Sequence, residues 1–373
     1  MKLQEATDIK IGSTSASKVM LGNTQVWPKQ GNNHLLYGEV VDPSQPLPTI
    51  SLDDTVNTPT LDASSNMFYL DTWSNAAPTS ITFNNKENIK TITKLTGLDT
   101  SNVTNMNSIF GGCSLLTSLD LSNFNTSNVT DIQGMFGDCS SLTSLDISSL
   151  YTSNVIYMSS MFDGCSSLTS LDLSNLKTSN VIDMQLMFNN CSSLTSLDLS
   201  SFDTYNVTTT EYMFSGCSSL TSLDLSSFNT SKVTNQNYMF SGCSSLTSLD
   251  LSSFNTSKVR NMKSMFKGCS SLTTLDLSNF DTSNVTNMNV MFNGCSSLTS
   301  LNLSNCDTSK VTNIEMMFYG CQSLNDVYIT VESTLNKLTN NLTSRGGNYI
   351  PQTATIHYNG TDYKWNGSAW AQQ

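Results

Sequence analysis

The chain has 373 residues, of which 12% are charged, and its formal net charge is −12. This length fits two or three compact domains or one extended array. The acidic balance argues against nucleic acid and anionic membranes as partners, because both bind basic surfaces. The start, MKLQEATDIKIG, lacks the regions of a secretory signal, and no apolar run of about 18 residues could cross a bilayer. We therefore expect no membrane insertion and a protein that is made and folded in a cytosol.

Residues 1–27 contain two short β-prone runs, each broken by a turn signal. Gly12-Ser13 follows the first run, and Gly22-Asn23 follows the second ten residues later. Such pairs between apolar runs predict hairpins, which are marginal in water on their own. We therefore interpret this segment as a β-hairpin anchor that docks on another chain. The candidate anchoring residues are Ile11, Gly12, Leu21, Gly22, Val26 and Trp27.

The next two segments carry no clear repeat. Five of the seven prolines lie between residues 28 and 59. Since proline removes a backbone donor and interrupts periodic patterns, we interpret 28–60 as a Pro-rich linker. Residues 61–112 recover apolar content and approximate the later repeat, so they predict an N-terminal capping region.

A 26-residue repeat that opens with cysteine fills the centre of the chain. Eight full copies run from 113 to 320, and the copy at 269–294 reads CSSLTTLDLSNFDTSNVTNMNVMFNG. A fixed period of this length is the signature of a solenoid. No C-x-x-C pair occurs and the array has a core to bury, so we predict reduced, buried thiols. Cys306 replaces a phenylalanine of other copies and is predicted to lie in the core too.

Each copy divides by period into a strand, a turn and a short helix. Leu275 and Leu277 alternate with polar residues, which predicts a strand stacked in a parallel sheet. Asp281-Thr282-Ser283 is a good helix start, and an apolar stripe follows it at helical spacing. The predicted fold is therefore α/β: a solenoid over 113–330 of about eight strand–turn–short-helix coils, with small β segments at both ends. The stripe consists of Val285, Met288, Met291 and Phe292.

The last segment, 331–373, is predicted to be a C-terminal helix and β-meander cap. Residues 331–344 have the composition of a short polar helix. Two Asn-Gly pairs then separate aromatic runs, and Asn-Gly is the strongest short hairpin signal. We expect this cap to close the open end of the solenoid.

One exposed position of the predicted strand repeats as aspartate. Carboxylates stacked about 4.8 Å apart would repel one another, raising some pKa values or recruiting cations. The simplest interpretation is a solvated stripe on the concave face that keeps the sheet soluble. Weak Ca²⁺ binding and polar recognition of a glycan are the alternatives, although this face has no aromatic platform. The residues of this acidic stripe are Asp120, Asp146, Asp172, Asp198, Asp224, Asp250 and Asp276.

Other departures from the repeat suggest no chemistry. Lys258, Arg260, Lys263 and Lys267 fall in one copy and are interpreted as a solvated helix face. Thr210 and Gln236 replace Met or Ile of other copies, so the array should be weakest across about 200–240. The two histidines, His34 and His357, lie at opposite ends of the chain, and no nucleotide-binding fingerprint occurs. We expect no cofactor, no resident metal and no enzymatic activity.

The repeat also resembles a known family. Its L-x-x-L-x-L-x-x-F core, with D-T-S-N-V-T-N-M and M-F-x-G-C-S-S-L, resembles the BspA-like leucine-rich-repeat surface proteins of bacteria and their phages, over about 99–325. This resemblance implies a leucine-rich-repeat solenoid that serves in surface attachment without enzymatic activity. The I-x-I-G-S-T and V-x-L-G-N-T-x-V-W motifs near the start, and the W-N-G-S-A-W tail, are similar to segments of phage structural proteins.

These features together predict a non-enzymatic phage structural protein. We expect a virion accessory or receptor-binding, fibre-like protein, with other virion proteins bound at its N-terminal segment. Its solenoid would bind a host surface glycan or protein, and it could form a homo-oligomer. It would be assembled in the host cytoplasm and released by lysis. The alternative is a bacterial BspA-like surface adhesin or a secreted interaction module.

Overall fold

The chain folds as a mostly β solenoid of about ten turns, not as an α/β array of eight coils. The computed structural model describes residues 35–62, 65–340 and 349–373 in full, and the backbone of 10–11, 14–15, 19–21 and 24–27. The N-terminal strands are β1 Lys10–Ile11, β2 Thr14–Ser15, β3 Val19–Leu21, β4 Thr24–Trp27, β5 Leu36–Val40, β6 Thr49–Leu52, β7 Thr55–Asn57, β8 Thr60–Asp62, β9 Met67–Leu70, β10 Ile81–Asn84 and β11 Ile89–Leu95. The remaining elements are β12 Ser118–Leu119, β13 Thr274–Asp276, β14 Ser300–Asn302, β15 Asp326–Ile329, α1 Glu332–Asn340, β16 Thr355–Tyr358, β17 Thr361–Trp365 and β18 Trp370–Gln372.

The first four strands form two short hairpins. β1 pairs antiparallel with β2, and β3 pairs antiparallel with β4. Of the candidate anchoring residues, Ile11, Leu21, Val26 and Trp27 lie in these strands, whereas Gly12 and Gly22 lie outside the described residues. Their anchoring role stays a prediction.

The predicted linker over 28–60 is wrong for its described part, because β5 and β6 are core strands within it. β5 lies at the centre of a five-stranded sheet of order β12-β11-β5-β9-β8, and β6 lies at the centre of the sheet β10-β6-β7. Pro43, Pro46, Pro48 and Pro59 fall between strands, where a missing N–H removes no ladder hydrogen bond. The N-terminal cap therefore includes β5 and β6 and does not begin at 61. Its fully buried side chains include Leu36, Val40, Ile50 and Leu52.

The predicted helix of each coil is a run of turns. The N–H of Met291 bonds the carbonyl of Met288 at 3.2 Å, three residues back, whereas the N–H of Phe292 bonds Met317 of the next coil at 3.0 Å. Val290 and Gly294 have φ of 51° and 78°. Two left-handed residues this close cannot continue a right-handed helix, because an α-helix needs negative φ throughout. The predicted apolar stripe is buried, but a run of turns and not a helix places it in the core.

Val290→Gly is expected to stabilise the protein by about 1 kcal/mol, because the left-handed region strains a β-branched residue and not glycine. Gly134 occupies the same repeat position with φ of 56° and is a natural precedent. The reverse change, Gly134→Val, should destabilise by a similar amount. Urea denaturation of both variants gives the free energies of unfolding. A lower free energy of unfolding for Val290→Gly together with a higher one for Gly134→Val would contradict this assignment of the turn.

Two kinds of hydrogen bonding join successive coils. The predicted parallel sheet is present towards the C-terminal end, where β13, β14, β15 and β16 pair in parallel. In the central coils the continuous link lies elsewhere, in parallel bridges at one position just before the turns. The bridged residues are Asn105, Asp131, Tyr157, Asp183, Thr209, Asn235, Asn261, Asn287 and Asn313.

A buried threonine links each coil to the next. The hydroxyl of Thr282 donates to the carbonyl of Asp307 at 2.9 Å, so this residue joins coils and does not begin a helix. The N–H of Ser283 bonds the carboxylate of Asp281 at 3.0 Å, which closes a local turn. The members of this threonine ladder are Thr100, Thr126, Thr152, Thr178, Thr204, Thr230, Thr256, Thr282 and Thr308.

The core is built from columns of identical side chains. Adjacent phenylalanine rings of successive coils stack with centroids 5.6 to 6.0 Å apart, as aromatic pairs prefer. All ten cysteines are free and buried, which confirms the predicted thiol ladder and the core position of Cys306. The thiol of Cys243 donates to the carbonyl of Phe214 at 3.1 Å, and the other ladder thiols from Cys139 to Cys321 make the same contact.

Thiol titration of the native protein is expected to detect almost none of the ten cysteines. Burial raises the pKa of Cys217 and Cys269 to about 12, so the reactive thiolate is scarce at neutral pH. After denaturation, close to ten thiols should react. An intact mass that shows several disulfides would contradict the thiol ladder.

The C-terminal cap continues the sheet of the last coils. The predicted polar helix corresponds to α1, and residues 341–348 lie outside the described residues. β16 pairs in parallel with β15, and β16, β17 and β18 then form an antiparallel meander. Asn359 and Gly360, between β16 and β17, both have positive φ, as their hairpin turn requires. In the described part of the chain, no helix is long and apolar enough to cross a membrane.

Candidate interaction surfaces

The acidic stripe is held by local hydrogen bonds. Oδ1 of Asp198 accepts the backbone N–H of Ser200 at 2.9 Å, and all seven aspartates make this contact with the serine two residues on. Asn302, which follows them in the repeat, bonds the N–H of Ser304 at 3.1 Å. Short side chains that cap a turn in this way explain why the position recurs as Asp or Asn. The stripe therefore has a structural role in every coil.

The expectation that repulsion raises pKa values along the stripe is wrong. Hydrogen bonds from the hydroxyl and the N–H of Ser148 lower the pKa of Asp146. At Asp172 and Asp224 the charges of neighbouring aspartates act in the opposite direction, but the serine donors outweigh them. The residues whose pKa is lowered are Asp146, Asp172, Asp198, Asp224 and Asp250. Among the described residues, no three His, Cys, Asp or Glu side chains converge as a metal site.

The left-handed position of the turns varies widely between copies. This position lies next to the buried Met-Phe pair, and its side chain is partly exposed in most coils and buried at Ser264. The backbone of this position bonds the next coil whatever its residue type, as the N–H of Tyr238 does with the carbonyl of Lys263 at 2.8 Å, so the fold accepts the variation. The occupants of this position from the first full copy onward are Gly134, Ser160, Leu186, Tyr212, Tyr238, Ser264, Val290 and Met316.

Tyrosines occupy this position in two successive coils. The rings of Tyr212 and Tyr238 stack with centroids 4.4 Å apart and planes 8° apart. Nζ of Lys263 lies 5.5 Å from the centre of the Tyr238 ring, and Nζ of Lys232 lies 4.0 Å from that of Tyr205. These are cation–π distances. The sequence signal for this cluster is the Tyr repeated at one position of successive copies, and no predicted site included it.

A carboxylate beside the tyrosines is fixed by amides. Glu211 accepts hydrogen bonds from Gln185 at 2.7 Å, from Asn235 at 2.7 Å and from Asn237 at 2.6 Å. These residues come from three successive coils, so the network fixes a polar row along the solenoid. Lys263 of the following coil reaches the Tyr238 ring, and Arg260 and Lys267 are exposed in that same coil. We group these residues as the turn-face patch: Gln185, Glu211, Tyr212, Asn235, Asn237, Tyr238, Arg260, Lys263 and Lys267.

The basic residues of one copy lie on turns and not on the predicted helix face. Lys258, Arg260 and Lys267 are exposed. Within the described residues none of the three forms an ion pair. Their charges are therefore available to a ligand.

The two polar replacements in the core are both buried. Thr210 is 1% exposed, and its hydroxyl donates to Sδ of Met239 at 3.4 Å. Gln236 is 0% exposed, and neither of its amide atoms has a hydrogen-bond partner among the described residues. The weakness predicted for this region rests mainly on Gln236.

His357 joins the cap to the last coil. Its Nε2 lies 2.9 Å from a carboxylate oxygen of Asp326 in β15, and its Nδ1 lies 2.7 Å from one of Asp362 in β17. The imidazole also stacks on Tyr328 with centroids 4.6 Å apart. Partial burial acts to lower the pKa of His357, but the two carboxylates outweigh it and the pKa is raised.

Stability of the C-terminal cap is expected to fall with rising pH. A pKa raised by folding means that the protonated histidine stabilises the cap fully below the unfolded value of about 6.5, and that this contribution is lost as pH rises through the folded pKa. Unfolding followed by tryptophan fluorescence between pH 5 and 9 measures the effect. His357→Gln should flatten the dependence. An unchanged pH profile in that variant would contradict the role of His357.

The fold and the repeat define a solenoid protein of stacked 26-residue coils. Three segments, residues 78–197, 168–269 and 245–341, match the family described as "Mycoplasma protein of unknown function, DUF285". They span more than two thirds of the chain, so the chain belongs to this family. This agrees with the BspA-like repeat resemblance.

Other comparisons add little. No curated protein shows a significant match. A solved structure described as "Crystal structure of TLR13-ssRNA13 complex" matches with 16% identity and a TM-score of 0.22. That match covers 73% of this chain and 51% of the other, so it spans about half the length of the solved chain.

Proposed function

We propose that the chain is a non-enzymatic attachment protein, a phage virion accessory or receptor-binding protein whose solenoid displays a surface for host attachment. The observation that carries this proposal is the contrast between the aspartate position, which is the same in seven coils, and the left-handed position, which varies and is at least partly exposed in every full copy except at Ser264. The aspartate position is uniform because serine donors fix it in every coil. The left-handed position varies, as a recognition surface on a uniform scaffold would.

The N-terminal hairpins support attachment to a larger particle. Two hairpins of two to four residues per strand are marginal as isolated structures. Pairing with other virion chains or with further copies of this chain would satisfy their edges. A protein of this kind would be assembled in the host cytoplasm and released by lysis.

Two measurements test the proposal. Mass spectrometry of purified particles should detect the chain, and the purified protein should bind host cells and compete with particle adsorption. A variant that lacks residues 1–27 should still bind cells but should be lost from particles. Failure of the intact protein to bind host cells would overturn the attachment function.

A second candidate is a bacterial surface adhesin or a secreted interaction module. The family match favours it, because the family is described from Mycoplasma proteins. Surface labelling of intact bacteria that carry the gene separates the two candidates, since only the adhesin is exposed on uninfected cells.

A further inference from the structure

The turn-face patch has an unusual local charge. Of its nine residues, three are basic, Arg260, Lys263 and Lys267, and one is acidic, Glu211, whereas the whole chain carries −12. The carboxylate of Glu211 already accepts hydrogen bonds from the amides of Gln185, Asn235 and Asn237. The exposed guanidinium of Arg260 and the ammonium of Lys267 have no such partner within the described residues. The patch is therefore complementary to an anionic ligand.

The same patch offers groups that bind hydroxyls. The stacked rings of Tyr212 and Tyr238 are half-buried, so part of each side chain faces solvent. Beside them, the amides of Asn235 and Asn237 hold the carboxylate of Glu211 in a fixed orientation. A carboxylate has more acceptor sites than these contacts use, and it can receive hydrogen bonds from a polyol. Aromatic surface next to fixed polar groups suits a ring that has one apolar face and several hydroxyls.

Two other classes of anionic partner fit less well. Nucleic acid would need a long basic track, and the aspartates of the acidic stripe run along the same coils. A protein partner would need an apolar interface centre depleted of charge, and here charged and amide side chains surround the tyrosines. The patch is too polar for that.

We propose that the turn-face patch is a binding site for an acidic saccharide. Arg260, Lys263 and Lys267 bind the anionic group, and Tyr212 and Tyr238 contact the sugar ring. The proposal rests on the attachment function proposed above and specifies its ligand and its site. The acidic stripe takes no direct part in this recognition.

The repeat itself supplies substitutions that the fold tolerates. Ser160 and Ser264 occupy the position of the two tyrosines, Thr286 that of Arg260, and Ser241 that of Lys267. Tyr212→Ser with Tyr238→Ser, and Arg260→Thr with Lys267→Ser, therefore remove the site with residues that other coils already carry. The matched control is Asp224→Asn, since Asn302 occupies that position in a later coil.

The full chain should be tested on sialylated, uronate-containing and sulfated oligosaccharides, each beside its neutral parent, with poly-glutamate as an acidic peptide. We expect binding to at least one acidic saccharide, at least tenfold tighter than to its neutral parent. Each double variant should weaken it tenfold or more, and Asp224→Asn should leave it unchanged. Thermal unfolding confirms that all variants are folded.

Several results would overturn the proposal. These are binding to no acidic saccharide, equal binding to the neutral parents, binding only to poly-glutamate, or binding that both double variants retain. Cell binding by the same variants separates this proposal from the attachment function. If the wild type binds host cells and both double variants bind equally well, the attachment function is supported and the saccharide site is contradicted. If the wild type binds no cells, the attachment function itself is contradicted.

Discussion

Thr230→Val is expected to destabilise the protein by about 1–3 kcal/mol, although the two side chains have nearly the same shape. The Thr230 hydroxyl donates to the carbonyl of Asn255 at 2.9 Å and accepts the N–H of the same residue at 2.8 Å. Valine removes both hydrogen bonds and leaves an N–H and a C=O of the next coil without their partner. Because Thr230 is 1% exposed, water cannot enter its site to take over the hydrogen bonds of the lost hydroxyl.

Thr230→Ser is the matched control for this prediction. Serine keeps the hydroxyl and loses one methyl group, which costs roughly 1 kcal/mol of burial at most. Urea denaturation should therefore rank the proteins as wild type, then Ser, then Val. Equal losses in the two variants would mean that the methyl group, and not the hydrogen bonding, makes the threonine necessary.

The period of the repeat was sufficient to predict the solenoid and most of its core. A side chain that recurs every 26 residues must meet its own copy in the next coil, whatever the local backbone does. Cys243 and Phe240, for example, are both 0% exposed, as that argument requires. This reasoning depends on stacking alone, which is why it did not need a correct secondary structure.

The local backbone was not predictable from spacing. Met288, Met291 and Phe292 point into the core at intervals that suit a helix, and a run of turns places them there equally well. The residue that decides between the two is Val290, with φ of 51°. Valine rarely adopts left-handed φ, so nothing at that position indicates a turn. Only Gly134, at the same position in another coil, is typical of one.

Two further errors came from treating a local signal as if it excluded long-range contacts. The prolines at 43, 46 and 48 indicate a break, and they do lie between β5 and β6, but the flanking strands are core strands. The aspartate of each coil indicates a charged stripe, but the serine two residues on sets its chemistry. The tyrosine pair, by contrast, can be found only by comparing the copies and looking for repeat positions at which they differ.

Gln236→Met is expected to stabilise the protein by about 2 kcal/mol. Gln236 is 0% exposed, and its Nε2 and Oε1 have no hydrogen-bond partner among the described residues. Burying an amide without a partner costs roughly 1–3 kcal/mol, and methionine of similar length removes that cost while filling the same space. Met262 already occupies this position in the next coil, where it is 0% exposed.

The reverse substitution tests the same physics in the neighbouring coil. Met262→Gln should lose about as much stability as Gln236→Met gains, and the double variant should lie near the wild type if the two sites act independently. Thr210→Met should gain less, because the Thr210 hydroxyl already has an acceptor in Sδ of Met239. Hydrogen exchange localises the effect, since Gln236→Met should slow the amides of Met239 and Phe240 more than those of distant coils. If Gln236→Met leaves both the free energy of unfolding and these amides unchanged, a buried water satisfies the Gln236 amide, and the region from 200 to 240 is no weaker than the rest of the array.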